Sequence, residues 1–131
     1  MTTVLVTGAN RGLGLEFCRQ YAERQYQVIA ACRKPDQAKA LRALVKQYPD
    51  LRIVAMDVMQ RNEIDNLAQQ LRGQAIDALI CNAGIYGDSG SSRLGHLNYS
   101  DWLKTLETNV LGAIKTADAS YCLNRIVLNS E

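Results

Sequence analysis

The sequence predicts an α/β fold: a three-layer, doubly wound parallel sheet of about five strands in the order 3-2-1-4-5. Three observations lead there. Short apolar runs alternate along the chain with stretches whose apolar residues recur every three or four positions. The first run, Val4-Leu5-Val6, enters a turn holding Gly8, Gly12 and Gly14, and a helical pattern follows at once. Gly8, Arg33, Asp57 and Asn82 each fall just after an apolar run. Alternating strands and helices pair in parallel through right-handed crossovers, which puts helices on both faces of the sheet. Ligands then bind at the carboxyl ends of the strands, where these four residues collect.

Bulk properties narrow the possibilities. The 131 residues suit one domain and suffice to bury a core. A hydrophobic content of 47% with 21% charged residues is ordinary for a soluble globular chain. The net charge of +2, with basic residues dispersed, argues against nucleic acid or an anionic membrane as partner. No apolar run is long enough to span a bilayer, and a first strand beginning near Thr3 leaves no room for a leader. Cys18, Cys32, Cys81 and Cys122 lie far apart and form no CxxC pair. They read as free thiols in a reducing compartment, the cytoplasm, with no metal site.

The elements follow in order. Val4 and Val6 are β-branched and mark the first buried strand. Leu13, Phe17 and Tyr21 then mark a helix over 12–24. The second strand covers 27–32 and ends in Arg33-Lys34-Pro35-Asp36, with Pro35 suited to a helix's first turn. Ala38, Leu41, Val45 and Tyr48 stripe the second helix, and Pro49-Asp50 stops it. The third strand, 51–56, leads to Asp57. Ile64, Leu67, Ala68 and Leu71 stripe a third helix, with Gly73 at its C-cap. The fourth strand, 76–81, runs into Asn82-Ala83-Gly84. After a polar, glycine-rich loop over 86–98, Ser100 is the expected N-cap of a long fourth helix carrying Trp102, Leu106, Val110 and Ala113. Residues 125–129 form the fifth strand.

Strand, glycine turn and helix together make a pyrophosphate cradle. Glycine lets backbone approach a ligand that any Cβ would hit, and the helix start offers unpaired N–H groups and partial positive charge. Arg33 ends the second strand, about 20 residues beyond the turn, where a carboxylate would bind the ribose diol of NAD and a cation suits a 2′-phosphate. Arg11, within the turn, is a second guanidinium matched to phosphate oxygens. NADP is therefore expected in preference to NAD.

Thr7-Gly8-Ala9-Asn10-Arg11-Gly12-Leu13-Gly14 resembles the cofactor motif of the short-chain dehydrogenase/reductase family. Asp57-Val58 resembles that family's aspartate contact to the adenine ring. Cys81-Asn82-Ala83-Gly84 resembles its Asn-Asn-Ala-Gly motif, with Cys81 in place of the first Asn. Asn109-Val110 resembles the asparagine of its long fourth helix. The motifs stand in the family's order over most of the chain. The glycine turn and Ala31-Cys32-Arg33-Lys34-Pro35 are also similar to the carbonyl-reductase-like branch that includes the C-factor and sniffer proteins.

The resemblance implies a single NADP(H)-binding Rossmann domain over 1–131 and a role for each residue. Gly8, Gly12 and Gly14 line the pyrophosphate, with Asn10 and Leu13 in the same cofactor-binding turn. Arg11 and Arg33 hold the 2′-phosphate. Asp57 accepts from the adenine amino group, with the Val58 backbone beside it. Asn82, Ala83 and Gly84 pack under the adenosine ribose, and Asn109 holds a water in a proton relay. The bland alternatives are a helix cap at Asp57, a plain turn at 82–84 and a polar kink at Asn109.

The family reduces carbonyls by hydride transfer from a nicotinamide, using a Ser and a Tyr-x-x-x-Lys on the helix after the fifth strand. The chain is expected to lack that catalytic and substrate portion. Ser130, after Leu128-Asn129, resembles the serine-bearing strand end, with Glu131 its neighbour. Tyr121 and Arg125 have the pair's spacing, with Arg for Lys, but precede the fifth strand. Two readings result: an NADP(H)-dependent oxidoreductase acting on a small-molecule carbonyl or alcohol, or a nucleotide-binding module without turnover. An open sheet edge and an uncovered fourth helix predict self-association.

Overall fold

The computed structural model describes residues 1–87 and 93–124. Four parallel strands, β1 (Thr3–Thr7), β2 (Gln27–Cys32), β3 (Leu51–Ala55) and β4 (Ala78–Ile80), form a sheet in the order β3-β2-β1-β4. The expected fifth strand, 125–129, lies outside the described residues, as do Ser130 and Arg125. Helices α1 (Gly12–Glu23), α2 (Lys39–Gln47) and α3 (Arg61–Gln70) are the crossovers between consecutive strands.

Alternation along the strands divides the core into two layers. Val4, Val6, Val28, Ala30 and Cys32 pack with Cys18, Ala22 and Leu41 of α1 and α2. Leu5, Ile29 and Ala31 point the other way and pack with Ile64, Leu67 and Ala68 of α3 and with Ala119. A sheet buried on both faces is why these strands read as unbroken apolar runs.

The end of α1 is a complete Schellman motif without the usual glycine. Tyr26 N–H donates to the Tyr21 carbonyl at 3.1 Å and Gln25 N–H to the Ala22 carbonyl at 3.0 Å. Gln25 takes the left-handed conformation, φ 62°. The Tyr21 and Tyr26 rings stack on each other with centroids 5.4 Å apart.

Several boundaries differ from the sequence reading. Pro35 opens a separate 3₁₀ turn, Pro35–Gln37, and α2 begins two residues later. The C-cap of α3 is Leu71, and Gly73 (φ 83°) is the left-handed residue of the turn beyond it. β4 is shorter than 76–81; just before it, Asp77 donates its N–H to the Thr3 carbonyl at 2.9 Å and accepts Thr3 N–H on its carboxylate at 2.7 Å. Cys81, past the strand end, is exposed, whereas Cys18 and Cys32 are buried; the side chain of Cys122 lies outside the described residues.

The long fourth helix is three consecutive pieces: α4 (Tyr99–Leu106), a π-helical turn over Glu107–Leu111, and α5 (Gly112–Asn124). Its cap is Asn98, not Ser100. The Asn98 side-chain oxygen accepts from Ser100 and Asp101 N–H, reaching the second and third helical amides, while Ser100 lies two residues too late. Trp102, Leu106 and Val110, whose spacing signals the helix, are about half exposed, at 54%, 52% and 47%. Among the described residues, Thr108, Gly112, Thr116, Ala119 and Ser120 are its buried ones. A Cβ at Gly112 would lie 3.0 Å from Val58 Cγ2, so glycine sets how closely the helix approaches the end of β3. Tyr121 is an exposed residue of α5.

Candidate functional site

A crevice of about 570 Å³ opens along the carboxyl ends of the four strands. Each strand contributes the residues that follow it: Gly8, Asn10, Arg11 and Gly12 after β1, Arg33 after β2, Asp57 and Val58 after β3, and Asn82, Ala83 and Gly84 after β4. Ten of the residues singled out from sequence thus line one cavity, of a size usual for small-molecule sites.

The glycine turn is held from below. Thr7 Oγ1 accepts N–H bonds from Asn82 and Ala83, both at 3.0 Å. Asn82 Nδ2 returns two bonds, to the carbonyls of Thr7 and Gly8, each 3.1 Å. This cross-link ties the end of β1 to the end of β4. Gly8 (φ 64°) has no room for a side chain, since a Cβ would lie 2.8 Å from Ala83 Cα.

The three glycines do different work. Gly12 (φ 56°) has nothing within 4 Å of a hypothetical Cβ, so the space there is open. Gly14 is buried and does not line the crevice: a Cβ would meet the Gly8 carbonyl oxygen at 2.2 Å and Asn82 Nδ2 at 2.5 Å. It is a packing glycine that lets α1 close on β1. Leu13 is 72% exposed and also lies off the crevice lining.

Arg11, the N-cap residue of α1, has extended backbone, and no side chain caps the first amides of the helix. The crevice therefore has a row of backbone donors at the helix start, with positive end charge. Arg11 and Arg33 are exposed, and neither forms an ion pair among the described residues. Cys32, beneath Arg33, is buried, and burial pushes its thiol pKa up.

Asp57 does not cap α3, whose N-cap is Gln60. Its Oδ1 accepts Met59 N–H at 2.9 Å in a tight turn, and its own N–H donates to Glu63 at 2.6 Å. The second carboxylate oxygen has no hydrogen-bond partner among the described residues.

Asn109 sits in the π-helical turn, off the crevice lining. Its Oδ1 accepts Ile85 N–H and its Nδ2 donates to the Ile85 carbonyl, both at 2.8 Å. Each end keeps one further lone pair or proton, so the amide retains capacity for a water. Ile85, Met56, Met59, Lys104 and Thr108 also line the crevice without having been marked by any motif. Lys104 and Thr108 stand one turn apart on one helix, and that spacing is the signal that would have found them.

The family pattern described as short chain dehydrogenase matches residues 2–123. An uncharacterized oxidoreductase of Schizosaccharomyces pombe is 30% identical over 123 residues, covering 90% of this chain and 47% of the relative. The chain thus spans about half the length of the curated relatives it matches. Among solved structures, a carbonyl reductase from Pseudomonas aeruginosa in complex with NADP superposes with a TM-score of 0.87 at 30% identity, covering 95% of this chain and 56% of that one. NADPH-bound carbonyl reductase from chicken fatty liver gives 0.83 at 30% identity, covering 94% and 51%. A match over nearly the full length, on a sheet whose strand ends carry the motifs in order, establishes that the chain belongs to the short chain dehydrogenase family.

Proposed function

We propose that this chain is the NADP(H)-binding Rossmann domain of a short-chain oxidoreductase that interconverts a carbonyl and an alcohol. The observation that carries the reading is the pair Arg11 and Arg33: two guanidinium groups without carboxylate partners among the described residues, on one crevice beside the start of α1. A 2′-phosphate is the group that such cations favour at the end of the second strand. Two of the similar structures hold NADP or NADPH and are carbonyl reductases, which supports the carbonyl-reductase-like branch.

The residues fit that cofactor. The open space at Gly12 and the uncapped amides of α1 suit a pyrophosphate. Arg11 and Arg33 hold the 2′-phosphate, Asp57 accepts from the adenine amino group beside Val58, and Asn82, Ala83 and Gly84 support the ribose. When bound, the cofactor supplies hydride chemistry at its nicotinamide. Asn109 positions the Ile85 backbone and offers its remaining lone pair to a relay water. Ser130 as proton-handling serine belongs to the same proposal.

The free thiols Cys18, Cys32 and Cys81 support a cytoplasmic setting. No described helix is long and apolar enough to cross a membrane. The exposed row Trp102, Leu106, Val110 and Ile114 supports self-association, which size-exclusion chromatography over a concentration series tests.

The function is tested by titrating NADPH and NADH fluorescence, then adding a panel of aldehydes and ketones. The proposal expects tighter binding of NADPH and its consumption by one carbonyl class. Binding without consumption assigns a nucleotide-binding module instead, and absence of binding to either dinucleotide overturns both.

A further inference from the structure

We propose that Lys104 is a further cofactor-binding residue, its ammonium contacting the adenine ring; the assignment rests on the dinucleotide reading above. Lys104 lines the crevice from α4, and the Thr108 hydroxyl on the same wall donates to the Lys104 carbonyl at 2.8 Å.

Two observations direct its charge toward a ligand. Asp101 and Glu107 each lie three positions away on the same helical stretch, where ion pairs commonly form, yet Lys104 pairs with neither. Asp57, the one carboxylate among the crevice residues, likewise forms no ion pair with Arg11, Arg33 or Lys104 among the described residues. Opposite charges on one crevice, too far apart to join, leave room for a group that presents a donor and an acceptor together. Adenine does so: its amino group donates beside a ring nitrogen that accepts. A carboxylate suits the first and an ammonium the second.

Helix geometry puts Lys104 on the right side for this contact. The helix meets Val58, next to Asp57, at Gly112. The stretch before Gly112 carries Thr108 and then Lys104 along the crevice, with Lys104 roughly two turns up the axis. Its long flexible stem lets the charge reach back along the crevice wall.

The test measures dissociation constants of the full chain for NADPH, NADH and 5′-AMP, the last by displacement of NADPH, in Lys104→Met, Lys104→Arg and Arg33→Met. Circular dichroism checks that each variant is folded. Loss of an adenine contact weakens all three ligands by one common factor, about five- to tenfold, and Lys104→Arg recovers most of it. Arg33→Met weakens NADPH alone. The assignment is overturned if Lys104→Met binds all three like the parent. It is overturned equally if NADPH suffers more than NADH, the mark of long-range charge or a 2′-phosphate contact. An unaffected 5′-AMP also overturns it, since the contact is then to pyrophosphate. A parent chain that binds none of the three refutes the dinucleotide reading itself, a result distinguishable from an unaltered Lys104→Met.

Discussion

Asn109 grips Ile85 by both ends of its amide: one 2.8 Å bond to the Ile85 N–H and one 2.8 Å bond from Nδ2 to the Ile85 carbonyl. The side chain thus acts as a strand partner for the loop after β4. Asn109→Ala removes both bonds and is expected to lower stability by about 1 kcal/mol, read from urea denaturation. Asn109→Asp keeps the first bond but sets a carboxylate oxygen against the Ile85 carbonyl, so it is destabilised as well. A parent-like urea midpoint for both variants would refute the grip.

Gly12 and Gly14 separate binding from folding. Gly14→Ala drives a methyl into the Gly8 carbonyl and Asn82, and is expected to cost about 3 kcal/mol through overpacking. Gly12→Ala meets no neighbour and carries only left-handed strain, about 1–2 kcal/mol. The Gly12 variant is expected to stay folded and lose dinucleotide affinity. Thermal melts with and without NADPH check both outcomes.

Gln25 holds a position where glycine avoids the Cβ penalty of a left-handed residue. Gln25→Gly is expected to raise stability by up to about 1 kcal/mol, the strain relieved exceeding the added chain entropy. Denaturation midpoints decide it.

Cys18 gives a high-pH signature. Burial pushes its thiol pKa from 9.0 up to about 12. A thiol harder to ionise when folded favours the folded state while it is neutral. Its contribution is therefore complete below pH 9 and is lost as pH rises toward 12. Cys18→Ala is expected to lessen the drop in stability across that window, measured by denaturation at stepped pH. In the native chain at pH 8, thiol reagents are expected to leave Cys18 unmodified until it unfolds.

Much of this architecture is legible in the chain because its elements carry separate periods. The alternation Val4, Leu5, Val6 assigns residues to two layers, and the residues after each strand collect at one edge as topology requires. The packing role of Gly14 is not legible, because glycine needed for packing and glycine needed for ligand approach look alike in sequence. Asn98 and Ser100 are not distinguishable as caps in sequence because both residue types cap; the fold decides which oxygen reaches the second and third amides. Lys104 carries no signal in sequence because an isolated lysine on a helix is ordinarily a solvated charge. On the fourth helix, spacing identified the helix while its large apolar residues proved to be the exposed ones. A stripe of Thr108, Gly112 and Thr116 is too small and polar to read as a core face.

The contact of Gly112 with Val58 makes the helix a lever with its fulcrum at that glycine. An added methyl there displaces the fulcrum by only tenths of an ångström, but the arm beyond it carries Thr108 and Lys104 over the crevice. A tilt born at a site remote from any ligand is magnified at its tip. On the proposed dinucleotide reading, Gly112→Ala is therefore expected to weaken NADPH binding although Gly112 lies off the crevice lining.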